Sequence, residues 1–163
     1  MGVIDELLAN NEAFAARVEE RHLAVEPSRH LAIVTCMDSR LDVFAALGLG
    51  DGEAHVLRNA GGVITDDVIR SVAISQRALG TKDIVLVHHT DCGMTKITDD
   101  EFASALEADT GVRPQFPIEA FRDPAASVRE SIARLRRSPF VAHAGEIAGF
   151  VFDVDTGRIH PVG

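Results

Sequence analysis

The chain contains no tryptophan and no tyrosine, and its aromatic residues, all phenylalanine, make up 5% of 163 positions. Flat side chains on which nucleic-acid bases could stack are therefore poorly supplied. Positive charge is scarce too: 16 Lys and Arg stand against 25 Asp and Glu, a formal net charge of -9. A protein that grips nucleic acid neutralises phosphates with a basic surface, so this balance argues against such a partner. Arg134, Arg136 and Arg137 do cluster, but at the end of a predicted helix, where they complement the helix dipole. No stretch approaches the roughly 18 consecutive apolar residues of a membrane span, so no membrane partner is expected. Asp5 and Glu6 stand where a secretory signal would carry positive charge, which points to the cytoplasm. Internal repeats, low-complexity tracts and interdomain linkers are missing as well. A length of 163 residues suits one domain, 1–163, with a sizeable core.

What is present is a regular alternation of apolar runs and amphipathic segments. A first amphipathic helix is predicted over about 4–20, from Asp5 to Glu20, with Leu7, Leu8, Phe14 and Val18 on one face. Leu31 to Val34 reads as a strand, Asp42 to Leu47 as a short helix stopped by Gly48, and Ala54 to Leu57 as a second strand. The turn Asn59-Ala60-Gly61-Gly62 follows. Thr65 is a predicted N-cap, with Val68, Val72, Gln76 and Leu79 at helical spacing until Gly80. Ile84 to Val87 is the third strand. Thr98 to Glu101 has the form of a capping box for a helix ended by Gly111, and Asp123-Pro124 opens another with Val128, Ile132 and Leu135 inward. A last strand is predicted over Gly149 to Val154. Such alternation implies right-handed crossovers: an α/β fold of three layers, with a mostly parallel central sheet flanked by helices and a late edge strand. Ligands of these sheets bind beyond the carboxyl ends of strands, where the strand order reverses.

Cysteine is rare: only Cys36 and Cys92 occur. In a reducing compartment, two cysteines are read as ligands or nucleophiles rather than as a disulfide. Each stands just beyond a predicted strand, Cys36 in Cys36-Met37-Asp38-Ser39-Arg40 and Cys92 in His89-Thr90-Asp91-Cys92-Gly93. Two soft sulfurs, an imidazole and a nearby carboxylate form a donor set that zinc prefers. Cys36, His89 and Cys92 make three protein ligands, and three with one open position is the pattern of a catalytic zinc. Asp38 decides between two states. As a fourth ligand it would close the site; held away by the planar fork of Arg40, it would leave room for water.

The joint pattern resembles the β-class carbonic anhydrases, whose zinc motif is Cys-x-Asp-x-Arg followed later by His-x-x-Cys. Both motifs are intact, Arg58-Asn59-Ala60-Gly61 and Gly93 also match, and the likeness runs from about Ala32 to Val154. The resemblance implies one zinc ion per chain on Cys36, His89 and Cys92. Asp38 and Arg40 would form the catalytic dyad that orients zinc-bound hydroxide, and the Gly93 N–H would help hold bicarbonate. It implies reversible hydration of carbon dioxide, and a homodimer or higher homo-oligomer whose N-terminal helix packs on the partner subunit. Larger members carry a Gln, Phe and Tyr set in the cleft. A chain without tyrosine cannot complete that set, which points to a shorter, divergent branch.

Other readings compete with this one. The same fold and zinc could hydrolyse carbonyl sulfide or carbon disulfide, and a permanently bound Asp38 would give a closed, non-catalytic zinc protein. A cysteine-based phosphatase is disfavoured, because Asp38 and Asp42 would repel phosphate beside Cys36. Strand alternation lets only one of His88 and His89 face the site; spacing to Cys92 favours His89, leaving His88 as a hydrogen-bonded core histidine. Asp91 reads equally as a neighbour of the site or as an exposed loop acid, and Asn59, Gly61 and Gly62 as cleft lining or as a tight turn.

Overall fold

Among the described residues, five strands form: β1 (Leu31–Cys36), β2 (Ala54–Asn59), β3 (Asp83–His89), β4 (Ile147–Phe152) and β5 (Ile159–Val162). In the computed structural model, which describes residues 2–18 and 22–163, they hydrogen-bond in the order β2-β1-β3-β4-β5. The first four are mutually parallel; β5 runs antiparallel to β4. Around them stand α1 (Val3–Ala15), α2 (Val43–Leu47), α3 (Asp66–Leu79), α4 (Asp99–Thr110) and α5 (Pro124–Arg137). The mostly parallel, helix-flanked sheet expected from the alternation is what forms. From β1 the chain turns outward to β2, then returns past β1 to β3. The reversal point therefore lies between the carboxyl ends of β1 and β3, where such sheets bind ligands.

Local chemistry sets the helix ends. The Thr65 hydroxyl accepts from Val68 N at the start of α3, Thr98 from Glu101 N at α4, and the Asp123 carboxylate from Ala125 N at α5. Gly80 and Gly111 end α3 and α4 in the left-handed conformation, φ 70° and 78°. Two predicted elements differ. The last predicted strand, Gly149 to Val154, is the inner strand β4. The edge is the four-residue β5, concealed in the sequence by Pro161, which lacks an N–H and is tolerated where an edge needs none. The first helix ends at Ala15, and its predicted end at Glu20 lies outside the described residues.

Both faces of the central strands are covered, which is why they read as unbroken apolar runs. Val34, Ile84 and Leu86 pack with Val68 and Val72 of α3 and Leu135 of α5. Ile33 and Val87 pack on the opposite face with Leu41, Val43 and Phe152. Each such side chain, fully buried, contributes about 1.5–3 kcal/mol to folding. At Gly149, α5 comes so close that a Cβ would run into Val128 and stand 2.9 Å from Ile132. By contrast, α1 buries none of its residues, and its Leu7, Leu8 and Phe14 are exposed. Among the described residues, no helix is long and apolar enough to cross a membrane.

Candidate metal centre

Cys36 ends β1, His89 ends β3, and Cys92 stands three residues further on, before the 3-10 turn Gly93–Thr95. All three are buried, and their ligand atoms lie within 4.8 Å of one another, the two sulfurs 4.0 Å apart. Two sulfurs bound at about 2.3 Å to one tetrahedral ion would be roughly 3.8 Å apart, so the spacing fits. Alternation along β3 sends the two histidines opposite ways. His88 Nε2 donates to the Gly62 carbonyl at 3.0 Å, and its ring stacks on Phe121 with centroids 5.4 Å apart. His89 Nδ1 lies 2.8 Å from the Thr90 carbonyl, which can only accept, so Nδ1 carries the proton. His89 Nε2 then offers a lone pair, is buried, and has no hydrogen-bond partner among the described residues. A buried acceptor left so is expensive unless something binds it, and a cation is the natural occupant.

The sulfurs point the same way. Contact with Cys92 above all, opposed by burial but aided by His89 and the Asp38 and Gly61 backbone, draws the Cys36 thiol below the usual range. The same contact, with burial, pushes the Cys92 thiol up. One thiolate is thus easily formed, and a second so close is resisted by repulsion, which a dication between them would remove. Burial opposes charge on His89, yet its Cys36 and Thr90 neighbours leave its pKa raised. These donors fit zinc.

Beside them, Arg40 grips Asp38 with a two-pronged fork: Nε to Oδ1 at 3.0 Å and Nη2 to Oδ2 at 2.8 Å, with the Arg40 N–H adding a third bond at 2.9 Å. The side-chain bonds from Arg40, chiefly, hold the Asp38 carboxyl well below the usual carboxylate range. Asp38 Oδ2 remains only 3.7 Å from His89 Nε2. Asp91, whose role the sequence leaves open, is exposed but engaged. Its carboxylate accepts from Arg40 Nη1 at 2.9 Å and from Lys96 at 2.7 Å, and its carbonyl accepts from Arg40 Nη2 at 3.0 Å. Lys96, chiefly, and Arg40 lower the Asp91 pKa. Arg58 ties the loop from beneath, donating to the carbonyls of Cys36 at 2.8 Å and Asp38 at 2.7 Å. The contributions of Lys96 and Arg58 went unread in the sequence, although Arg58 falls in a motif that matches the family.

A cleft of about 500 Å³ opens over Cys36, Asp38 and Cys92, walled by apolar side chains that include Met37, Val63, Met94, Phe102 and Phe116. Asn59 and Gly61 line it, whereas Gly62 is not among its lining residues and belongs to the tight turn. Gly62 stands at φ 70°, and a Cβ there would meet Cys36 N and the Thr35 carbonyl carbon at 2.9 Å. Only glycine lets the turn press so closely on β1. At Gly93 a Cβ would meet nothing within 4 Å, so the backbone borders open space.

Residues 31–159 match the protein family described as carbonic anhydrase. The chain is also 52% identical, over 162 residues and 99% of each sequence, to beta-carbonic anhydrase 1 of Mycobacterium tuberculosis. The chain belongs to the β-carbonic anhydrase family. A crystal structure of carbonic anhydrase from Streptococcus mutans superposes with a TM-score of 0.95 at 47% identity, covering 100% of this chain and 99% of the other. A carbon disulfide hydrolase of Saccharolobus solfataricus is 34% identical over 181 aligned positions, covering 96% of this chain and 87% of the hydrolase. The β-carbonic anhydrases are zinc lyases, and the buried Cys36, His89 and Cys92 group supplies donors suited to that metal.

Proposed function

We propose that this β-carbonic anhydrase reversibly hydrates carbon dioxide to bicarbonate and a proton, using one zinc ion held by Cys36, His89 and Cys92. The observation that carries the reading is the buried His89 Nε2, without a hydrogen-bond partner among the described residues, beside two sulfurs, with Asp38 engaged by Arg40. Zinc bound there supplies Lewis acidity that ionises a water at moderate pH, less strongly than at a three-histidine site because two thiolates cancel its charge. Asp38, kept ionised by Arg40, accepts the O–H of the attacking water and thereby turns a lone pair toward the substrate. Arg40 restrains Asp38 from taking a ligand position itself. The apolar cleft walls receive carbon dioxide, which has no charge to solvate, and exclude bulk water from the reacting atoms. The Gly93 N–H is assigned to bicarbonate; the open space at its Cα supports this.

Residues 1–163 act as one unit in this reading, in the cytoplasm, where unpaired cysteines remain reduced. The exposed apolar residues of α1 support packing on a second copy, in a homodimer or higher homo-oligomer. Stopped-flow hydration across pH, on protein of measured zinc content, tests the proposal. Zinc near one per chain, with activity rising toward alkaline pH, is the expected result. Zinc without hydration at any pH would favour the closed protein with Asp38 as fourth ligand. Turnover of carbon disulfide or carbonyl sulfide instead would favour the hydrolase chemistry named for the 34% identical relative.

A further inference from the structure

Between α4 and α5 the chain runs from Gly111 to Asp123 without helix or strand, yet part of it forms a wall of the cleft. Phe116, Pro117 and Ile118 line the cleft, and Phe116 is 63% exposed. The next three residues are anchored one by one. Glu119 Oε1 accepts from Arg134 Nη1 of α5 at 2.8 Å, Ala120 N donates to Asp99 Oδ1 at 2.7 Å, and Phe121 stacks on buried His88. Glu119 also holds a left-handed backbone conformation, φ 58°. A residue with a side chain rarely adopts it, and it persists where surrounding contacts over-determine it, characteristically at ligand clamps.

We propose that the Glu119–Arg134 pair is a latch that fixes the 116–118 wall over the metal site, making both positioning residues for a linear three-atom substrate. An ordinary surface ion pair would contribute little. This one is partly buried, 22% and 35% exposed, and joins a strained residue to a helix packed on the sheet. Arg134 also reaches Asp66 at 3.1 Å, but that carboxylate is 98% exposed, so Glu119 is the better-enclosed partner. The sequence reading of Arg134 as a complement to the helix dipole misses this, because the contact spans 15 residues through a loop. The substrate named here rests on the carbonic anhydrase reading; the latch does not.

Two variants separate the latch from folding. Glu119→Gly removes the carboxylate while placing at φ 58° the residue that tolerates it best. Arg134→Gln removes the other half and leaves the residue 119 backbone untouched. Both should raise KM for carbon dioxide about fivefold, equivalent to about 1 kcal/mol, with kcat within about twofold and zinc content unchanged. Thiocyanate, a linear triatomic anion, provides a probe free of turnover. Its affinity for the cobalt-substituted protein, followed by visible absorption, should weaken by a similar factor in both variants. Unchanged thiocyanate affinity, or an effect in Glu119→Gly alone, would overturn the latch. Wild-type protein that binds thiocyanate but does not hydrate carbon dioxide would refute the function proposed above, while the thiocyanate comparison would still decide the latch.

Discussion

Arg40 carries more of the site than any ligand does, because its one guanidinium bridges Asp38 and Asp91. Replacing it with alanine frees Asp38, which lies 3.7 Å from His89 Nε2, to reach toward the metal position. Arg40→Ala should therefore retain zinc by elemental analysis while losing about 100-fold or more in kcat/KM. Full activity in that variant would sink the gating role of the pair. The sign of the pH effect follows from the depressed Asp38 pKa. A carboxylate stabilised in its ionised form contributes to stability above its unfolded pKa, and that contribution is lost as pH falls through the lower folded value. The stability gap between wild type and Asp38→Asn, measured by denaturant titration, should be flat from about pH 5 to 8 and shrink below about pH 4. Acidification from pH 8 to 6 accordingly leaves Asp38 charged. At Gly62, a methyl group must collide with Cys36 N and the Thr35 carbonyl carbon in a backbone conformation that disfavours it. Gly62→Ala should destabilise by more than about 2 kcal/mol in thermal melts and weaken zinc retention, since the displaced backbone carries Cys36, the proposed ligand.

At the scale of elements, α5 ties the fold to the cleft. Its seat on β4 exists because Gly149 offers no side chain against Val128 and Ile132. Gly149→Val should lift α5, costing about 1–3 kcal/mol by overpacking, and hydrogen exchange should rise across 124–137 and 147–152 together. A rise confined to β4 would mean the helix has room to spare. The Cys36–Arg40 and His89–Cys92 motifs could be read directly, because rare residue types at fixed short spacing sit beside apolar runs that can only be buried strands. Helix boundaries were legible for the same local reason: Thr65, Thr98, Asp123, Gly80 and Gly111 each act within one turn. What stayed hidden depends on contacts far apart in sequence. Pro161 disguises β5, and Asp91 became interpretable only once Arg40, 51 residues away, was placed against it. The cleft wall is harder still, since Phe121 against His88 and Glu119 against Arg134 are set by how a loop crosses the sheet end.

For the whole molecule, α1 is the element whose apolar face stands uncovered by the described residues. A helix with Leu7, Leu8 and Phe14 in solvent and nothing buried gains little by folding alone. Removing residues 2–18 should leave the sheet fold intact by circular dichroism but shift sedimentation to a lighter species. An unchanged sedimentation coefficient per subunit would show that α1 takes no part in assembly. A five-stranded sheet brings two sulfurs and one imidazole, from residues 36, 89 and 92, to one point at its strand-order reversal. Zinc-edge X-ray absorption on the purified protein tests this most directly. Two sulfurs at about 2.3 Å, one imidazole nitrogen at about 2.0–2.1 Å and one further light atom per zinc are the predicted shell. A shell of nitrogen and oxygen alone, or protein that takes up no zinc, would contradict it.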